Sequence, residues 1–428
     1  MRENDSAGRL SLRKIAIPAF GPSLLFGLGE GAILPVVALS SRGLGASVAA
    51  AALIVTLLGI GSLLSNVPAS LLTAKYGERP AIIVAATMSM FAMVCCGLAP
   101  NIWVFAVGIF LIGAASAVFN LARQSYLTEA VPVQFRARAL STLGGVMRVG
   151  VFAGPFAGAL AIQLMGLSGA YWVGAAAVVA AGAVAWTLPD LVHPYSSRSA
   201  APAPPPSVRS LLVSHRRVFL TVGLGVLLVS AVRASRQAVI PLWAENLGLD
   251  AATTSLIYGL SGAIDMLVFY PAGMVMDRNG RTWVAVPSML LMGLALILMP
   301  LSTGAGTLLL VSLLIGFGNG IGSGMVMTLG ADYSPSCGRA QFLGIWRFLS
   351  DVGSSGGPAL LSGLTAVATL SIGISATGVL GLAAAAALWY WIPRNAPDRG
   401  AAVLRGPSEQ RRTTQTTRRS GRGPGLRR

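Results

Sequence analysis

Apolar residues run through this chain in long stretches, and polar residues are confined mostly to the short breaks between them. About 20 apolar residues are needed for an α-helix to cross a bilayer. Twelve stretches approach that length: 16–40, 48–72, 80–98, 102–122, 139–166, 168–189, 218–243, 252–275, 282–301, 306–330, 340–366 and 369–392. The pattern predicts an all-α integral membrane protein with twelve transmembrane helices. Arg13-Lys14 ahead of the first run imitates a signal peptide. The run is too long for one, contains Glu30 and lacks a small-residue cleavage site, so it reads as the first span.

The punctuation of the chain repeats with a period of 203 residues. Leu44-Gly45 corresponds to Leu247-Gly248, Pro68 to Pro271, Gly77 to Gly280, Gly113 to Gly316 and Gly154-Pro155 to Gly357-Pro358. Glycine and proline have backbone roles that other residues rarely fill, so a shared register of both implies a shared architecture. A half-chain period in an apolar sequence predicts two parallel repeats. The expected divisions are an N-terminal segment 1–15, a six-helix bundle 16–189, a Pro-rich linker 190–217, a second six-helix bundle 218–393 and a disordered basic tail 394–428.

Composition supports the membrane reading. The chain is 54% hydrophobic and 11% charged, with mean hydropathy +0.72, whereas soluble domains carry about 25% charged residues. The net charge of +17 is unevenly placed. Ten arginines lie in 394–428, and most other basic residues fall in the breaks on one side of the predicted bundle. The opposite side holds Arg42, balanced by Glu245 and Asp250. By the positive-inside rule both termini are expected in the cytoplasm, with the protein multi-pass in the cell membrane. The tail reads as a solvated topology determinant; anionic headgroups are the other surface it would attract, and no nucleic-acid partner is expected.

Between the eighth and ninth spans stands Gly273-Met-Val-Met-Asp277-Arg278-Asn-Gly280-Arg281. Here the chain resembles the major facilitator superfamily, whose loop signature is G-x-L-x-D-R-x-G-R. The resemblance extends over both halves and implies a secondary transporter, not an enzyme, with two pseudo-symmetric six-helix bundles that rock about a central path. Gly273 is expected to permit close helix approach and Gly280 a left-handed turn. In the first-half copy Ala74 occupies the position of the acid, and Glu78 follows the second glycine. In the family that first-half acid is thought to latch the halves, so the role passes here to Asp277 or to Glu78.

Gly150-x-x-x-Gly154-Pro155 in the fifth span is similar to part of the antiporter signature of proton-coupled drug-efflux members, the group closest in pattern. Ser141 and Ala159 depart from that signature, and Gly353, Gly357 and Pro358 repeat it in the eleventh span, so general helix-packing hardware is the competing reading. The arginine that many proton-coupled exporters carry early in span four is replaced by Ile109. Arg123, about three turns later, reads as an interface anchor.

Charges inside spans are costly, roughly 2.5–3.5 kcal/mol each on insertion scales, and mark pathways or pairs. Glu30 lies near mid-membrane, and its repeat counterpart is Arg233, followed by Arg236 and Gln237. The resemblance implies that spans one, four, seven and ten line the cavity. These residues, with Asn120, Asn319 and Asp265, are therefore the expected substrate and proton path. Glu30 reads either as a carboxylate for which a proton and a cationic substrate compete, or as half of a buried pair with Arg233. An Arg148–Asp265 pair is expected between spans five and eight. Arg347 and Asp351, four apart, share a helix face.

No cofactor or metal is expected. A phosphate-binding G-x-x-x-x-G-K-[ST] loop needs a lysine, and Lys14 and Lys75 follow Arg13 and Ala74. His193 and His215 lie in the linker, and Cys95, Cys96 and Cys337 form no spaced set. The expected function is proton-coupled efflux of drugs or amphipathic metabolites by a monomer. The alternative is import of a small, anionic nutrient with protons.

Overall fold

The computed structural model describes residues 20–131, 133–188, 208–335 and 339–395. The N-terminal segment, most of the Pro-rich linker and the basic tail lie outside them. Within them the chain is helical throughout. The first repeat comprises α1 (Phe20–Ile33), α2 (Val37–Gly43), α3 (Val48–Tyr76), α4 (Glu78–Gly97), α5 (Ile102–Ala130), α6 (Val133–Met165) and α7 (Ser168–Trp186). Two short helices, α8 (Val208–Ser214) and α9 (Arg216–Val218), precede a π-helical turn, Phe219–Gly223. The second repeat continues with α10 (Leu224–Asn246), α11 (Ala251–Asn279), α12 (Thr282–Leu298), α13 (Ala305–Ile321), α14 (Met325–Tyr333), α15 (Arg339–Val367) and α16 (Leu370–Arg394). The last residues of the expected linker are thus helical: Leu211 of α8 is buried, and His215 packs edge-on against Phe342 of α15.

Ten of these helical stretches are long and apolar enough to cross a membrane, or eleven if the pair α1 and α2, bent by 40°, is one span. The twelfth expected span is α15. It has 29 residues, ample for a crossing, but Arg347, Asp351 and a run of Ser and Gly lower its apolar character. It packs inside the bundle against α10 and α3, so buried polar residues face protein and not lipid.

The 203-residue register governs the backbone as well as the sequence. Gly45 and Gly248 both adopt positive φ, at 86° and 73°, and so do Gly77 and Gly280, at 87° and 98°. Ser47 and Asp250, one period apart, both cap their helices by accepting backbone N–H bonds, from Ala50 and Thr253. The hydrogen bonds from Thr253, first its hydroxyl and then its N–H, hold the Asp250 carboxyl below its ordinary pKa.

Lipid offers no hydrophobic drive for helix association, so small residues and close backbone approach hold such bundles together. A Cβ at Gly150 would collide with Leu24 O, and one at Gly353 with Leu227 O. Gly154 and Gly357 meet Leu28 O and Ala231 O in the same way. Gly113 presses on Leu58 O and Gly316 on Ser261 O. Each contact recurs one period later. The Gly-Pro element of α6 therefore does the same packing against α1 as its copy in α15 does against α10. Pro155 also reaches the other half, 3.2 Å from a Cβ built on Gly259.

Gly273 departs from expectation: a Cβ there would meet nothing within 4 Å. Gly154→Ala is expected to lower the thermal midpoint of the purified protein, because its Cβ would lie 2.5 Å from three backbone atoms of α1 and its turn and overpacking costs about 1–3 kcal/mol. Gly273→Ala should melt at or slightly above wild type, since alanine favours helix by ~1 kcal/mol over glycine. Equal shifts in the two variants would contradict this packing account.

The halves meet along α3 with α15 and α6 with α11. Arg42 and Glu245, repeat counterparts of one another, form an ion pair at 2.9 Å at one end of the bundle. Ser362 donates to Ala49 O at 2.7 Å nearby. At mid-bundle the guanidinium of Arg148 lies 4.3 Å over the Phe269 ring, and Asn66 donates to Asp351 at 3.3 Å. At the other end, Arg281 is bonded within its own half, to Asp277 and Asp332. The molecule is closed at the Arg42–Glu245 end.

Candidate functional site

Mid-bundle, between the halves, lies a cavity of about 590 Å³. Glu30 and Ser116 line it from α1 and α5; Arg233, Arg236 and Gln237 from α10; Asn319 from α13 and Arg148 from α6. Its charged lining comprises three arginines and one carboxylate.

The buried pair of Glu30 with Arg233, the alternative reading of that carboxylate, is not formed. Ser116 instead donates its hydroxyl to Glu30 Oε1. In the second repeat Arg233 Nε donates to Asn319 Oδ1 at 2.7 Å. Ser116 and Asn319 are one period apart, as are Glu30 and Arg233, so both bonds occupy one structural position. One half fills it with carboxylate and hydroxyl, the other with guanidinium and amide. Each half satisfies its own mid-membrane charge.

Two breaks in the helices shape these positions, and neither was anticipated. Between α1 and α2 the chain turns over residues 34–36, where Pro35 has no N–H to give. Between α13 and α14 it turns at Gly322–Gly324, with Gly324 at φ +82°. Arg233 donates a second bond, at 3.2 Å, to the carbonyl of Gly322. Such interruptions survive at membrane depth where they line a cavity or are buried in protein.

Asn319 Nδ2 donates at 2.5 Å to Asp265 Oδ2, and the same oxygen lies 3.7 Å from Arg236 NH1. Arg236 also faces the ring of Tyr258 at 5.5 Å. Asp265 therefore anchors a C-half cluster with Asn319 and Arg236. It does not form the expected direct pair with Arg148, which lies against Phe269 in the cation–π arrangement. Arg148 and Asp265 both line a smaller cavity of about 180 Å³ between α6 and α11.

Arg148 and Asp351 are repeat counterparts, and so are Phe269 and Asn66. The two mid-bundle contacts between halves are thus one contact made twice with different chemistry. Asp351 also lies 3.9 Å from Arg347. Asn66 escaped notice in the sequence, although a lone amide in an apolar run at the register of Phe269 was the available signal.

Arg123 is the other residue misread. It does not anchor the interface but lies half-buried inside the first bundle, over the Phe119 ring at 5.7 Å and within Coulombic range of Glu30. Its Nε and NH1 are buried without hydrogen-bond partners. The depth estimate failed because α5 continues to Ala130, beyond the expected end of that span. Asn120 is half-buried on the same helix but is not among the residues lining either cavity.

The loop motif acts within its own half here. Arg281 is bonded to Asp332 of α14 at 2.7 Å and to Asp277 at 3.1 Å. The bonds to Asp332 push the Arg281 guanidinium above its ordinary pKa. Asp277 is 76% exposed, and Arg278 is exposed beside it. Glu78, at the register of Arg281, is buried and accepts from Ser125 at 3.0 Å. Neither Asp277 nor Glu78 latches the halves in this conformation.

Among the described residues no cluster of His, Cys, Asp and Glu has the makings of a metal site. The sequence profile of the Major Facilitator Superfamily matches residues 23–358 and, in an overlapping match, 222–420. No curated protein matches the sequence. Among solved structures, a POT family transporter in complex with a thioalcohol-conjugated peptide superposes with TM-score 0.73 at 12% identity, over 90% of this chain and 97% of that one. A bacterial homologue of the human lysosomal transporter Spinster, inward-facing and unoccupied, superposes with TM-score 0.73 at 13% identity, over 90% and 97%. A D-xylose–proton symporter superposes with TM-score 0.68 at 16% identity, over 90% and 98%. At these identities the likeness is one of fold.

Proposed function

The chain belongs to the major facilitator superfamily, a family of small-molecule secondary transporters and not of enzymes, and from that premise we propose that it couples proton movement to transport of a small organic solute bearing an anionic group. The carrying observation is the mid-membrane cavity with Glu30 on one wall and Arg148, Arg233 and Arg236 on the others. A surplus of positive charge in a confined, partly desolvated space attracts anions and repels cations. That disfavours lipophilic cationic drugs as substrates. The Gly-Pro element no longer singles out drug efflux, because α15 uses its copy for the same packing.

Glu30 is the proton carrier in this reading. It is a carboxylate facing the cavity, its Oε2 has no partner among the described residues, and no histidine lies in a span. Competition at Glu30 between a proton and a cationic group carried by the same solute gives exchange, hence export against an inward proton gradient. The three arginines equally suit import of an anion together with a proton, and this is the second reading.

Alternating access follows from the closed Arg42–Glu245 end and the unlatched Asp277–Arg281 end. We place the latter, with both termini, on the cytoplasmic side by the charge asymmetry. The transporter is taken to work as a monomer in the lipid bilayer, without cofactor.

Proteoliposomes containing a pH-sensitive dye test the proposal. External addition of a transported organic anion should move protons, inward with the anion for symport or outward, opposite to it, for exchange. Transport of organic anions with no accompanying proton movement would overturn it.

A further inference from the structure

We propose that the 180 Å³ cavity between α6 and α11 is a carboxylate subsite, in which a substrate's carboxylate bridges Arg148 of one half and Arg236 of the other while its amine is held by Glu30 across the main cavity. The inference rests on the preceding reading of the cavity as the substrate path and narrows the substrate to a bipolar aminocarboxylate.

The arginines of this region are not equivalent. Arg233 is occupied, with one bond to Asn319 and another to Gly322 O. Arg236 is only partly engaged: it lies against the ring and hydroxyl of Tyr258, while its NH1 is buried without a hydrogen bond and 3.7 Å from Asp265, too long for one. Arg148 makes no hydrogen bond among the described residues; it lies against the Phe269 ring and within Coulombic range of Asp265. A buried guanidinium donor without an acceptor is costly, and a carboxylate is the acceptor whose geometry matches its fork. Both guanidinium groups border the same small cavity.

Asp265 also borders it: its Oδ2 is engaged by Asn319, and its Oδ1 is buried without a partner, so a bound carboxylate must sit on the Arg148 side of Arg236, away from that oxygen. Counting Arg148, Arg233, Arg236 and Asp265, the formal charge around the subsite is +2. Met147, Val151, Phe152 and Met266 make the rest of the wall apolar, which suits a short alkyl chain next to the carboxylate. On the far wall Glu30 Oε1 is held by Ser116, leaving Oε2 for a cationic donor. Because Arg148 and Arg236 belong to opposite halves, a carboxylate between them ties α6 to α10 and favours closure of the halves around the substrate.

Thermal-shift titration of the purified full chain in detergent tests this. The probes are ω-aminocarboxylates of four, six and eight carbons, with unsubstituted carboxylates and primary amines of the same lengths. Wild type should be stabilised best by an aminocarboxylate, less by the matching carboxylate and least by the amine. Arg148→Gln and Arg236→Gln should each weaken apparent affinity for both acids at least tenfold, with Arg→Lys at either position recovering part of it. Glu30→Gln should abolish the advantage of the aminocarboxylate over the plain carboxylate. Each variant is first matched to wild type for its unliganded midpoint.

Equal affinity of wild type for aminocarboxylate and carboxylate would overturn the bipolar substrate and leave the anion reading standing. Undiminished carboxylate binding in both Arg→Gln variants would overturn the subsite. Preference for the amine would overturn the anion reading itself, and stabilisation by none of the probes would overturn the subsite for substrates of this size.

Discussion

Glu30→Gln is expected to abolish substrate-dependent proton flux, at least tenfold below wild type, while the protein remains folded and still exchanges substrate across the membrane. Glutamine keeps the volume of glutamate and still offers a carbonyl oxygen to the Ser116 hydroxyl, so α1 and α5 stay joined. What it loses is the site that gains and releases a proton. Arg123 loses its nearby counter-charge as well, a cost that the half-exposed cavity wall moderates. The measurement is dye-reported proton movement in proteoliposomes alongside radiolabelled counterflow. Full proton flux in the variant would remove Glu30 from coupling. Loss of both activities with an unchanged thermal midpoint would make Glu30 a substrate-binding group alone.

Asp265→Ala is expected to be the most destabilising substitution in the cavity region. Three arginines surround this carboxylate, and Asn319 donates to it at 2.5 Å. Removing one partner of a buried charge cluster costs about 3–5 kcal/mol, because the remaining charges stay desolvated and uncompensated. The Asp265 side chain is 18% exposed toward the small cavity, so water places the expected loss at the lower end of that range. The thermal midpoint of the purified protein should fall by several degrees. Asp265→Asn keeps an acceptor for Asn319 and should fall less. Asp265→Ala combined with Arg236→Met should recover part of the loss, because it removes the stranded charge too. An Asp265→Ala protein that melts with wild type would show that cavity water, and not Asp265, neutralises the arginines.

The residues singled out in the sequence divide by what spacing is able to fix. Glu30, Arg233, Arg236, Gln237 and Asn319 all reach the cavity, because depth along a helix follows from residue number at 1.5 Å per residue. Arg123 shows the limit of that rule. Its depth was judged from a span boundary, and the helix runs past it. Gly150 and Gly154 were legible as close-packing positions because their copies recur in register. Gly273 carries no such contact, although a motif includes it.

The sequence by itself determined the helical membrane fold, the two repeats and the family. Each is carried by patterns many residues long: apolar runs, the 203-residue register and the Gly273–Arg281 motif. Only the tertiary structure decided partners. Glu30 turned to Ser116 and not to Arg233, Arg148 to Phe269 and not to Asp265, and Asp351 to Asn66. Spacing gives the height of a side chain in the bundle and, less securely, the face it occupies. Its partner depends on which neighbouring helix that face meets and at what rotation. The breaks at residues 34–36 and 322–324 reset that rotation, so Glu30 and Arg233, at equal depth, bonded within their own halves.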